Sequence, residues 1–301
     1  MKTLRYAPKA LLRMSIKIIA LSALLVAGIC QTSIMHAHPL EKLMPFVTRI
    51  LWNSESLLSS VQGLWIKKLA EPYGLKCQYP VLVKKDPFLE SASAFVTGKE
   101  ENGVPTVDHL NRVPLDADEN DTKFFTAQKK GIIFNHNFAQ EFLHYGNHKG
   151  LIAVLFHEHE HLERRHSIKT HALQTKIDYA RKNGLAMTLN NQPFEQDPQD
   201  YLLCINRTHE RQSDASMRRH RDLCLNQADY FNSLIHLSED EFSIAYSTAQ
   251  CTPSDLQDVM QQAMKGSLQA QETLQQKSMH PLNRFRALQF KQWAEEADTK
   301  K

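Results

Sequence analysis

The amino-acid sequence predicts an α+β protein that is predominantly α-helical, on three observations. Apolar residues recur every three or four positions over several long stretches, three short β-branched or aromatic runs interrupt them, and proline, glycine and acidic clusters separate the two kinds of segment. The chain has 301 residues, 42% of them hydrophobic, enough to bury a sizeable core in one large domain. No internal repeat is visible, so a tandem-repeat scaffold is not expected.

At the N-terminus Lys2, Arg5, Lys9, Arg13 and Lys17 precede an apolar stretch over 18–30. That stretch is short for a membrane span, which needs about 20 apolar residues, and reads as an export signal. Ala37 in Met35-His36-Ala37 marks a cleavage site, but Met35 is larger than that position prefers. Residues 1–37 are therefore a signal peptide or an N-terminal anchor. The chain is expected to be exported, either periplasmic or anchored at the periplasmic side of the membrane, with 38–301 forming a single domain. Ile29 before Cys30 argues against lipidation.

The elements follow in order. Over 40–69, residues such as Phe46, Ile50, Leu57, Val61 and Leu64 predict one or two amphipathic helices. Residues 79–84 and 93–97, bounded by Pro80, Pro87 and Gly98, read as strands, and 131–134 as a third, giving a small three-stranded sheet. Between them 99–130 is polar, with Pro105, Pro114 and an acidic stretch over 116–121, and reads as a surface insertion. A strong helix is expected over 149–170. A loop over 190–199 ends in Asp197-Pro198, the cap and first-turn signal of the helix that carries Glu210. Further helical patterns cover 230–237, 254–276 and 283–296.

Charge and cysteine content narrow the function. A net charge of +3 from 36 basic and 33 acidic residues, with no long run of one sign, argues against nucleic acid as a partner. Cys77, Cys204, Cys224 and Cys251 follow the export segment, an even number for an oxidising compartment, so one or two disulfides are expected; buried free thiols are the alternative. No CxxC spacing supports a thiolate metal site.

Five of the 15 histidines fall between Val154 and Ala172. Among them His157-Glu158-His159-Glu160-His161 has the H-E-x-x-H pattern. Residues four apart share a helix face, so the imidazoles of His157 and His161 can reach one metal ion, and Glu158 can contact its water. Zinc held by three protein groups keeps an open position where the pKa of bound water falls to about 7, and a carboxylate placed as Glu158 is can act as general base. Glu210 is the candidate third ligand. Asp214, one turn later on the same face, can hydrogen-bond a ligand imidazole. His159 points away from His157, near Leu162 and His166 by helical spacing, and reads as a packed or solvated cluster rather than a second metal site. His171, His209 and His220 read the same way. His280, followed by Pro281 between two helical patterns, sits on a loop. It would occupy the open metal position, donate to an oxyanion, or cap the final helix.

Several of these stretches together resemble one family, the zinc metallopeptidases that include the CAAX prenyl endopeptidase, the bacterial heat-shock protease HtpX and related periplasmic proteases. The family's H-E-x-x-H-x-x-x-R-H is matched from His157 to Arg165-His166. Its N-A-F-x-x-G strand is matched by Ser93-Ala94-Phe95-Val96-Thr97-Gly98, and its late H-P-x-x-x-x-R by His280-Pro281 through Arg286. The resemblance spans about residues 77–290 in the family's order. It implies a zincin-type core with the H-E-x-x-H helix at the active site, one Zn2+ held by His157, His161 and Glu210, and Glu158 as general base. Ser93 for the usual Asn, the long 99–130 segment, and His159 and Glu160 at positions normally small or apolar are departures that bear on substrate preference.

The expected activity is thus zinc-dependent hydrolysis of peptide bonds in a protein or peptide substrate. That substrate would pair as a strand along Ala94, Phe95 and Val96. The alternative is a binding or chaperone-like module that keeps the metallopeptidase fold without turnover. Retention of Glu158 beside the ligands favours the enzyme.

Overall fold

A computed structural model describes residues 59–299 except 90, 145, 236–252 and 276–277. The expected signal or anchor over 1–37, the first part of the helical stretch over 40–69, and Cys251 lie outside the described residues.

The described chain is α+β and mostly helical. Helix α1 (Ser59–Ala70) leads through a 3-10 turn (Glu71–Tyr73) to strand β1 (Val81–Lys84). Strand β2 (Ala92–Glu100), β3 (Arg112–Pro114), a 3-10 segment (Glu119–Phe124) and β4 (Phe125–Asn135) follow. Then come α2 (His136–His144), α3 (His148–Glu163) and α4 (His166–Asn183), a hairpin of β5 (Ala186–Leu189) and β6 (Gln192–Pro193), and α5 (Pro198–Asp214). After a further 3-10 turn (Ala215–Met217), α6 (Arg221–Ile235), α7 (Pro253–Met264), α8 (Leu268–Leu274) and α9 (Asn283–Asp298) complete it.

The expected three-stranded sheet is present in the order β1-β4-β2, with β1 parallel and β2 antiparallel to the central β4. Strand β2 is therefore an edge. It also runs past Gly98, which sits at a register shift where a Cβ would lie 2.1 Å from Thr126 O. Glycine here permits close approach of the two backbones rather than ending the strand.

Segment 99–130 is not a surface insertion. It supplies the far end of β2, most of β4, and β3, which joins β5 and β6 in a second sheet that sequence did not predict. Its Val113, Leu115 and Phe124 are core residues, and Lys176 of α4 reaches back to Asp121 (2.6 Å) and Asp116 O (2.6 Å). Charge read as solvated is partly spent on holding this segment against α4.

Helix α3 lies at the centre, packed on α1, α5, α6 and the β2–β4 sheet. The Asn147 side chain caps it by accepting from Gly150 N (3.1 Å), and Leu151, Ile152, Leu155, Phe156 and Leu162 form its buried face. The helix expected over 149–170 breaks between Glu163 and His166, because Arg165 takes a left-handed conformation (φ 58°). The pattern over 254–276 breaks likewise at Gly266 (φ 92°). Asp197-Pro198 opens α5 as expected, Asp197 accepting from Gln199 N (2.9 Å). Cys77 in the loop before β1, Cys204 on α5 and Cys224 on α6 are free thiols, so the expected disulfides are absent among the described residues.

Candidate metal centre

The central helix carries His157 and His161 one turn apart, with Nε2 atoms 3.0 Å from each other. From α5, which packs against α3, Glu210 places Oε2 3.3 Å from His157 Nε2 and Oε1 3.3 Å from His161 Nε2. The three offer ligand atoms within 4.8 Å of one another, the one group of this kind among the described residues.

Hydrogen-bond partners assign the protons. His157 Nδ1 lies 2.9 Å from Asp214 Oδ1, a carboxylate that only accepts, so the ring's proton is on Nδ1 and the Nε2 lone pair faces Glu210. Asp214 is held in turn by Arg286, whose Nε donates to Oδ2 (2.8 Å) and Nη2 to Oδ1 (2.6 Å). On the second ligand, His161 Nδ1 faces His166 Nδ1 at 3.0 Å, while His166 Nε2 donates to Gln212 Oε1 (3.0 Å). His166 Nδ1 is then an acceptor, and His161 also carries its proton on Nδ1. Burial, with His209 and His161 nearby, pushes the His166 pKa down to about 3 and keeps that ring neutral. His209 stacks on it at 4.1 Å.

In these singly protonated, metal-binding tautomers both imidazoles aim a lone pair at a carboxylate, and acceptors this close repel unless positive charge sits among them. The electrostatics show the same demand for positive charge: burial alone would lower the His157 pKa, but Glu210 and Asp214 outweigh it and raise it to about 10, so without a metal ion a second proton on Nε2 meets Glu210. Burial likewise disfavours the Glu210 carboxylate, yet His157, His161 and His280 hold its pKa far below the usual range. Two imidazoles and a carboxylate, with the outer ring nitrogen of each imidazole hydrogen-bonded, form a donor set suited to zinc.

Glu158 accepts a hydrogen bond from Ala94 N (2.6 Å), which ties the candidate base to the edge of β2. A cleft of about 1130 Å³ opens over these groups, lined along the strand by Ser91 to Ala94. Of the expected substrate strand, Ala94 borders the cleft but Phe95 and Val96 do not. The Phe95 ring instead covers Gly131, where a Cβ would lie 2.6 Å from it.

His280 lies at the cleft with Nδ1 3.3 Å from Glu210 Oε2 and a side chain 64% exposed. It does not cap the final helix, whose N-cap is Leu282. His159 packs against Tyr79 (5.5 Å) and faces Glu163 (3.7 Å), whereas His166, after the break at Arg165, meets His161. His171 and His220 pack on aromatic rings as expected. Sequence reasoning assigned no role to Arg286, His166 or Gln212. The first two stood inside quoted motifs, which was the available signal.

Comparison of the chain with protein-family models, curated proteins and solved structures finds no match.

Proposed function

We propose that this protein is a zinc-dependent metalloendopeptidase with a zincin-type core, binding one Zn2+ per chain through His157, His161 and Glu210. The observation that carries this reading is the convergence of those three ligand atoms beside Glu158, at a strand that is the edge of its sheet among the described residues. Zinc held by His157, His161 and Glu210 would supply a water of pKa about 7 and a Lewis acid for a substrate carbonyl. Glu158 takes the proton of the attacking water and returns it to the leaving amine, with Ala94 N–H holding one carboxylate oxygen. Asp214 and Arg286 keep His157 in the ligating tautomer. The exposed His280, held at Glu210, donates to the oxyanion that forms on the substrate.

The substrate is a protein or peptide paired with the outer edge of β2. Export by way of residues 1–37 would place the enzyme in the periplasm or at the periplasmic side of the membrane. No helix among the described residues is long and apolar enough to cross a membrane.

Metal analysis of the purified chain beside digestion of casein tests the proposal. Glu158→Gln should keep its zinc and lose cleavage by at least about 100-fold, because it removes the proton acceptor without removing a ligand. His280→Ala, in the same assay, should keep zinc and slow turnover by about 100 to 1,000-fold. A Glu158→Gln chain that cuts at the wild-type rate would sink the mechanism. Faster cleavage by His280→Ala would instead assign that histidine to latency.

A further inference from the structure

The two ends of the cleft differ in chemistry, and β2 shows which end is which. Its start, Ala92, pairs with Phe134, and its last residue, Glu100, with Phe125. At the starting end Asn135 links Leu89 O (2.5 Å) to Phe138 N (3.2 Å), so Leu89 and Phe138 stand together there. Phe138 continues through Phe142 to Tyr230 in ring contacts of 4.6 and 5.8 Å, which brings Tyr230, Phe231 and Leu234 of α6 to the same end. At the other end His171 packs on Phe125 (5.7 Å) and is joined by Thr170, Gln174 and Asn206. Charged side chains lining the cleft, among the described residues, are only Glu158, Glu210, Asp214 and Arg286, all at the candidate metal centre.

Arg286 touches both neighbourhoods. Its guanidinium lies 4.2 Å from the Phe231 ring and 3.9 Å from Glu210, so the apolar end begins within one side chain of the reacting bond. That end also holds a polar group that nothing among the described residues satisfies. Gln227, 4% exposed and lining the cleft one turn before Tyr230 and Phe231, has an Nε2 without a hydrogen-bond partner. Buried amide donors are nearly always paired, so an unpaired one on a residue that lines a cleft points to an acceptor that a ligand brings. The backbone supplies the remaining contact. Asn135 N donates to Ser91 O (2.7 Å), so in an antiparallel ladder Ala92 and Ala94 direct their own N–H and C=O groups outward, the Ala94 N–H to Glu158 and the others toward the cleft.

Resting on the peptidase reading above, we infer that the enzyme selects its bond by one bulky apolar side chain. That side chain flanks the scissile bond on one side and is received by Leu89, Phe138, Phe231 and Leu234, while Gln227 donates to a carbonyl of the bound chain. On the other side of the bond the contacts are uncharged and tolerant.

Digestion of a random peptide library by the zinc-loaded wild-type chain should enrich Leu, Phe and Met next to the cut on one side only. Enrichment on neither side, or on both, would overturn the inference while leaving peptide hydrolysis standing. Affinity selection of the same library on the Glu158→Gln chain gives a readout independent of turnover. Apolar selection there without cleavage by the wild type would remove the hydrolytic reading and keep the pocket. Leu234→Gln should reduce discrimination between Leu and Asp peptides about tenfold with zinc content and melting unchanged. Gln227→Met should weaken both peptides alike and leave the preference intact. Unaltered discrimination in Leu234→Gln would overturn the assignment of this end.

Discussion

Asp214 and Glu210 sit one turn apart on α5 and do different work, which makes them separable by mutation. Glu210 turns its oxygens toward His157 and His161 Nε2 at the candidate metal centre, whereas Asp214 accepts from His157 on one side and from Arg286 on the other. Glu210→Ala should therefore strip most of the zinc, since two imidazoles leave the coordination incomplete. Asp214→Asn should lower zinc affinity by about 10 to 100-fold, because the amide can still meet His157 but no longer carries the charge that fixes its tautomer. Competitive chelator titration distinguishes the two. Full zinc content in Glu210→Ala would remove that residue from the ligand set, and an unchanged affinity in Asp214→Asn would leave its contact with His157 without consequence for the metal.

At the scale of elements, the site depends on how closely α1 and the sheet approach each other beneath α3. Gly63 in α1 lies against β1, and a Cβ there would stand 1.7 Å from Val81 O, a backbone atom that cannot swing aside. Alanine is favoured over glycine in a helix interior by about 1 kcal/mol, so in an open helix the substitution would stabilise. Here the overlap decides the sign. Gly63→Ala should destabilise the protein by about 1–3 kcal/mol through forced separation of helix and strand. Denaturant unfolding checks this, and a variant as stable as the wild type would show that α1 shifts without loss.

Across the whole molecule, stability comes from packing and buried polar contacts rather than cross-links among the described residues. Cys224 is buried on α6, and burial, with Asp222 and Asp214 adding to it, pushes its pKa up to about 12. Burial also raises Cys77 and Cys204. Such thiols are protonated and shielded at neutral pH, hence slow toward alkylating reagents. Cys224 should stay unmodified in the native chain and react fully in denaturant, and a non-chelating reductant should leave the melting temperature unchanged. Mass spectrometry of the alkylated chain reads the first outcome; a melting point lowered by the reductant would contradict the second.

By itself the sequence determined the period of the helices, the three strands of the first sheet and the spacing that puts His157 and His161 on one face. These are local properties, set by a repeat of 3.6 or 2 residues and by turn-forming residues. Its motif order also nominated Glu210, which the fold brings to the two histidines from 49 positions or more away in the chain. What only the tertiary structure decided depends on long-range contact. The left-handed Arg165 turns His166 under His161, and Arg286 reaches across 72 residues to Asp214. A polar stretch read as a surface insertion pairs into two sheets, because ladder partners and buried counter-ions, not hydropathy, fix where a charged segment lies. The helix pattern named the candidate ligands, and the packing of α3, α5, α9 and the edge strand set their hydrogen-bond partners, the placement of Glu158 and the cleft they face.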